Sequence, residues 1–266
     1  MNVVTMNKRG QVSVFAILGV IVVALVVLLL FIRNQVYLGG TNIQGLEKEF
    51  PQIQAHVEEC LLDIGEHYII LLGRQGGYLA TNPGTFRQYK GESINYLCYN
   101  MEGKPECSNR GLRLFDIETA IKNGILDDLN TCLDIDQFDK IGLDVSRSEA
   151  DVDVDMGDDT IIINANMPVK VSKGEIEAQR NSFSAVLDYP LGRLYNSARD
   201  IVESEALYGS FDTLTYSVLK TKSTGKPYVV QKLQPYPDKL YLLKLKNVPG
   251  ENAEFIFQFF IQDESF

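Results

Sequence analysis

The chain has 266 residues, 45% hydrophobic and 23% charged, with 21 glycines and nine prolines, a length and mix that suit one large or two small domains and exclude a collagen-like, low-complexity or wholly disordered chain. Lys8, Arg9 and Arg33 are the only charged residues of 1–33, which leaves 22 bases against 35 acids, about −13, over residues 34–266. So acidic a body lacks the clustered Lys and Arg that phosphate backbones require, which excludes nucleic acid as partner.

Val14 to Ile32 is a run of 19 residues without a polar side chain. As a helix rising about 1.5 Å per residue it is roughly 28 Å long, close to the hydrocarbon thickness of a bilayer. A cleaved secretory signal has a shorter apolar stretch followed by a small-residue cleavage site. Here Phe31-Ile32-Arg33-Asn34 follows instead, as expected for a single-pass transmembrane helix. Lys8 and Arg9 precede the span, and only Arg33 follows closely before Glu47. The positive flank stays in the cytoplasm, which puts the N-terminus there and the C-terminal body outside the membrane. The expected organisation is a basic leader over 1–10, a transmembrane helix over 11–33 and a linker over 34–50. A helical, cysteine-bearing subdomain over 51–143 and an α+β sheet domain over 144–266 follow.

The junction Lys8-Arg9-Gly10-Gln11-Val12-Ser13-Val14-Phe15 resembles the class III signal peptide of archaeal type IV pilin-like surface proteins. The resemblance covers about 25 residues. It implies a cut by a prepilin peptidase between Gly10 and Gln11, with the apolar helix retained. Phe15 stands where pilins usually carry the Glu that neutralises a neighbouring subunit's N-terminal amine, so filament assembly is not implied with the same force as processing. An uncleaved signal anchor is the alternative reading of the same residues.

Ile53, Val57, Cys60, Leu61, Ile64, Tyr68 and Leu71 fall at helical spacing after Pro51, and Gly73 or Gly76-Gly77 would end that helix. A second helix is expected from about Asp116 to Asp134 on Ile117, Ile121, Ile125 or Leu126, Leu129 and Leu133, with Gly124 weakening its middle. Four cysteines in an exported body point to two disulfides. Cys98 and Cys107 flank a segment whose Gly103 and Pro105 favour a turn, which pairs those two. Cys60 then pairs with Cys132, stapling helix to helix. Free thiols and a zinc site are the alternatives, although no Cys-x-x-Cys pair is present.

From about residue 144 the period changes to two. Ala150 to Met156 alternates strictly, and Ile161 to Ala165 follows after Gly157-Asp158-Asp159, a hairpin signature. Ser182 to Asp188 reads as a further strand and Pro190 to Leu207 as a helix. Thr213–Leu219, Tyr228–Leu233, Lys239–Lys246 and Glu254–Ile261 read as four more strands. The expected class is α+β, with a mainly antiparallel sheet and one packed helix.

Asp151, Asp153 and Asp155, followed by Gly157, are candidate Ca²⁺ ligands, but Gly and Glu do not stand where an EF-hand needs them, and a strand with one wet face explains the same alternation. His56 and His67, the only histidines, are about 16 Å apart along a helix and cannot share a metal. Asp63 and His67 form a possible i, i+4 pair, and no Gly-x-Ser-x-Gly elbow accompanies them. Gly73-Arg74-Gln75-Gly76-Gly77 follows a helix instead of opening one, so it offers no phosphate cradle. The tyrosines serve packing or a carbohydrate or peptide face. No catalytic residue, metal or cofactor is assigned. The expectation is a non-enzymatic structural or interaction protein of the cell surface. Its partners would be the lipid bilayer, prepilin peptidase, and other envelope proteins or further copies of itself. A tethered binding module for a peptide, glycan or solute, and an exported hydrolase using His67 with Asp63, are the alternatives.

Overall fold

The apolar spacing after Pro51 builds helix α1 (50–74), whose Ile53, Val57, Cys60, Leu61 and Ile64 are all buried. The computed structural model describes residues 50–81, 84–100, 107–245 and 254–263. The expected leader, the span and the linker up to residue 49 lie outside the described residues. Among the described residues no helix is long and apolar enough to cross a membrane.

Helix α2 (Leu114–Cys132) buries Ile117, Ile121, Ile125 and Leu129, and starts two residues before the expected position, where the Asp116 carboxylate accepts from Arg113 N at 3.0 Å. Gly124 does more than dilute helix propensity: a Cβ there would lie 2.5 Å from the Tyr68 ring, so its bareness lets α1 and α2 approach. Disulfides join Cys60 to Cys132, with Cα atoms 5.8 Å apart, and Cys98 to Cys107, at 5.2 Å. Among the described residues no cysteine is free.

Among the described residues, ten strands form two sheets. β1 (Phe86–Tyr89), β2 (Glu92–Asn100) and β3 (Cys107–Asn109) precede α2; β4 (Asp144–Arg147), β5 (Asp151–Met156), β6 (Ile161–Lys173) and β7 (Ile176–Leu187) follow it; β8 (Tyr228–Leu233), β9 (Lys239–Leu245) and β10 (Phe255–Ile261) end the chain's described part. The first sheet runs β1-β2-β10-β9-β8, with β3 also on β2; only β2 and β10 are parallel, Phe260 lying opposite Tyr96. In the second, β7 pairs with β6 along its length, while β5 and β4 occupy successive stretches of the other side of β6. The class is therefore α+β with mainly antiparallel sheets.

Helix α1 lies on the second sheet at one end and on the first at the other: a Cβ on Gly65 would meet Ile163 at 2.5 Å, and one on Gly73 would meet the Ile256 carbonyl at 2.5 Å. Helix α3 (Leu191–Tyr208) covers the first sheet with Leu194, Tyr195, Ala198, Ile201 and Val202, and Gly209, at φ 63°, ends it in the left-handed conformation. One apolar core joins α1, α2, α3 and the inner faces of both sheets.

Two expectations are corrected. The segment Thr213–Leu219 is not a strand but the start of helix α4 (Thr213–Thr224). Asp212 caps it by accepting from Thr215 N at 3.0 Å, and Gly225 closes it at φ 68°. These termini outweigh the β-branched residues between them. Helix α4 lies along β8: Ser217 Oγ accepts from Val230 N, and Thr221 Oγ1 from Tyr228 N, each at 3.0 Å. Two hydroxyls at i, i+4 thus supply the acceptors that a further strand would have given. The sheet region accordingly packs two helices, α3 and α4, instead of one. Second, residues 86–109 hold three strands within what read as a helical subdomain, and the first sheet draws strands from both sides of position 143/144.

Candidate functional site

The apolar stripe of α3 ends in an acid. Glu205 continues the helical line of Ala198, Ile201 and Val202, and its side chain is 1% exposed. Lys239 opens β9 on the same face as Tyr241, Leu243 and Leu245, which brings its stem through apolar surroundings to that acid. Lys239 Nζ donates to Glu205 Oε2 at 2.9 Å and to the Gly209 carbonyl at 2.8 Å, and Asp263 Oδ1 lies 3.4 Å away. The Tyr241 hydroxyl donates to Glu205 Oε1. Burial works against the Lys239 ammonium, but the hydrogen bond and charge of Glu205, with Asp263 behind them, hold its pKa above the ordinary lysine value. Burial, reinforced by Glu205, likewise pushes the Tyr241 phenol well above its ordinary range.

A recess of about 370 Å³ opens over this cluster, lined also by Asn100, Cys107, Tyr208 and Gln262. Both Glu205 oxygens are occupied and each ammonium proton of Lys239 has a protein acceptor. That arrangement ties the end of α3, with its carbonyl dipole, to β9.

A second ionic centre sits beyond the outer face of the same sheet. Asp238 accepts from Arg87 Nη1 at 2.5 Å and from the Tyr96 hydroxyl at 2.6 Å, and Arg87 also donates to the carbonyls of Pro235 and Tyr236. Arg87 lies over the Phe260 ring at 5.5 Å and borders a small apolar cluster of Ile94, Tyr96, Leu240 and Phe260. Here too the charged groups face one another.

The calcium candidates are not brought together. Asp151, Asp153 and Asp155 are the exposed residues of β5, alternating with buried Val152, Val154 and Met156. Successive exposed positions on a strand have Cα atoms about 6.7 Å apart and side chains that run side by side, so β5 does not wrap the three carboxylates around one point. The register sets Asp153 beside Asn164 and Asn164 beside Ser184, a hydrated polar row, and Lys122 Nζ holds Asp151 at 3.1 Å. Among the described residues no group of His, Cys, Asp and Glu is arranged to hold a metal. Asp63 and His67 are both exposed, with His67 edge-on to Tyr68 at 5.3 Å; His56 shares a hydrogen bond with Gln137 at 2.9 Å. Gly76 and Gly77, at φ 71° and 89°, turn the chain out of α1 against β10. Gly10 and Gln11 lie outside the described residues.

Sequence reasoning placed Glu205 on the helix line without using its charge, and passed over Lys239, Asp263, Arg87 and Asp238. The signal was available for two of them: an acid in the apolar stripe of α3, and a lysine in phase with the inward residues of β9. Comparison with protein-family models, with curated proteins and with solved structures finds no match.

Proposed function

We propose that this chain is a non-enzymatic structural and interaction protein of the cell surface, held in the membrane by residues 14–32 and presenting the body from residue 50 onward outside. The observation that carries the reading is the closure of all four cysteines into two disulfides, one stapling α1 to α2 and the other closing β2 onto β3. Such bonds persist in oxidising, extracytoplasmic surroundings. The direction of the charge bias around the apolar run agrees with the same orientation. The saturated ionic centres at Glu205–Lys239 and Arg87–Asp238 support a role in holding shape over one in chemistry. By the same resemblance that suggests a surface protein, a prepilin peptidase removes the first ten residues.

The test is topological. In cells producing the full chain, the protein should stay with the membrane through an alkaline carbonate wash, lose its body to protease added outside, and run as a fully oxidised species when thiols are trapped at lysis. N-terminal sequencing should then begin at Gln11. A chain that washes free, or one with four reduced thiols in the cell, refutes the anchoring and the location; a start at Met1 refutes only the processing.

A further inference from the structure

Helix α4 buries none of its residues, although its inner side is fastened to β8 through Ser217 and Thr221. Its outer side carries Leu214, Val218 and Lys222 at i, i+4 spacing, with Leu219 alongside. Leu214 is 75% exposed, and Val218 and Leu219 are each 59% exposed. Five of the twelve exposed large apolar residues, among those described, fall between Leu207 and Leu219. Such clustering marks a surface that is meant to be covered.

The charge of the same segment is opposite to that of the body. Residues 213–237 contain no acid, in a body of about −13; Lys220 pairs with Asp200 at 3.7 Å and Lys226 with Asp159 at 3.5 Å, which leaves Lys222, exposed on the outer side of α4, and Lys232, exposed on β8, to face outward. A second copy presenting this face would set lysine against lysine. A helix with leucine and valine on its outer line and Lys222 among them matches an anionic lipid surface, where the apolar side chains enter the headgroup boundary and the ammonium group meets a phosphate.

We propose that the outer face of α4 lies on an anionic membrane surface, so that the body rests against the bilayer instead of standing away from it. The proposal deepens the anchored reading and rests on it for reach: the 17 residues 33–49, fully extended, span at most about 60 Å, enough to let any face of the body turn toward the lipid. A short amphipathic helix binds weakly alone, and a tether makes the contact intramolecular.

The test uses the full chain, reconstituted one copy per nanodisc in neutral phosphatidylcholine or in phosphatidylcholine mixed with anionic phosphatidylglycerol. Hydrogen–deuterium exchange across 213–224 should be about fivefold slower or more in the anionic discs, and Lys222→Gln should return about fivefold of that protection. Leu214→Ser with Val218→Ser should also remove it, while exchange across β6 stays unchanged and certifies the fold. Equal exchange in the two lipids overturns the proposal. So does protection that arises only at two copies per disc, or only when an acidic protein is added. The anchor is read separately by alkaline extraction. If the chain washes out, vesicles of the same two compositions test α4 on the unanchored protein, so failure of one reading is not failure of the other.

Discussion

Removing the Lys239 ammonium is the sharpest probe of how this body is held together. Glu205 has a side chain 1% exposed, and its two oxygens are held by Lys239 Nζ and the Tyr241 hydroxyl. In Lys239→Met the stem volume is kept, but a buried carboxylate is left with one neutral donor. Breaking a buried pair from one side costs about 3–5 kcal/mol, a large share of the roughly 5–15 kcal/mol that stabilises a domain. Replacing the whole cluster, in Glu205→Leu/Lys239→Met/Tyr241→Phe, removes the charge together with its partners and should cost less than about 2 kcal/mol. The sequence has no tryptophan, so urea unfolding is best followed by far-ultraviolet circular dichroism, with the slope checked for two-state behaviour. A loss below about 1 kcal/mol in Lys239→Met, or a triple variant weaker than that single one, would refute the picture of a desolvated pair.

Removing Cys60–Cys132, which spans 72 residues, should cost about 4 kcal/mol by loop-closure entropy, against about 3 kcal/mol for Cys98–Cys107, which spans nine; paired Cys→Ser variants melted side by side test the order. Gly192→Ala should destabilise by about 1–3 kcal/mol despite the better helix propensity of alanine, because a Cβ there would stand 2.2 Å from the Gly157 carbonyl oxygen; a neutral or stabilising outcome in a urea titration would show that the β5–β6 turn yields freely. Asp159 is held below the usual carboxylate range by its hydrogen bonds to Arg193, at 2.7 and 2.8 Å, so the stability it contributes is present above the unfolded carboxylate pKa near 4 and is lost as pH falls through the depressed folded value. Asp159→Asn should therefore flatten the acid limb of the stability–pH curve below about pH 4, and an unchanged limb would show that the pair contributes nothing there.

Helices α1, α2 and α3 were legible because each buries one unbroken apolar line, and β5 and β6 because polar and apolar residues alternate over a recognisable turn. β2 was not, since Ile94 and Tyr96 are buried on one face while Leu97 is buried on the other, which erases the alternation. The error at α4 has a different origin. Thr213, Thr215, Tyr216 and Val218 favour a strand locally, and the deciding features, a capping Asp212 and hydroxyls reaching β8, act at the ends and across the fold. The ionic clusters escaped for a similar reason: Lys239 and Asp263 are 24 positions apart and far in sequence from Glu205, and only the β9–β10 pairing and the packing of α3 bring them together.

The hydroxyl-capped flank of β8 restricts how copies of this molecule could join. With Tyr228 and Val230 amides already engaged by Ser217 and Thr221, an incoming extended chain finds no free rungs at those positions unless α4 first departs. Continuation of the first sheet between copies through these two positions is thereby closed. Removing α4 would free the Tyr228 and Val230 amides and open that border of the sheet to pairing.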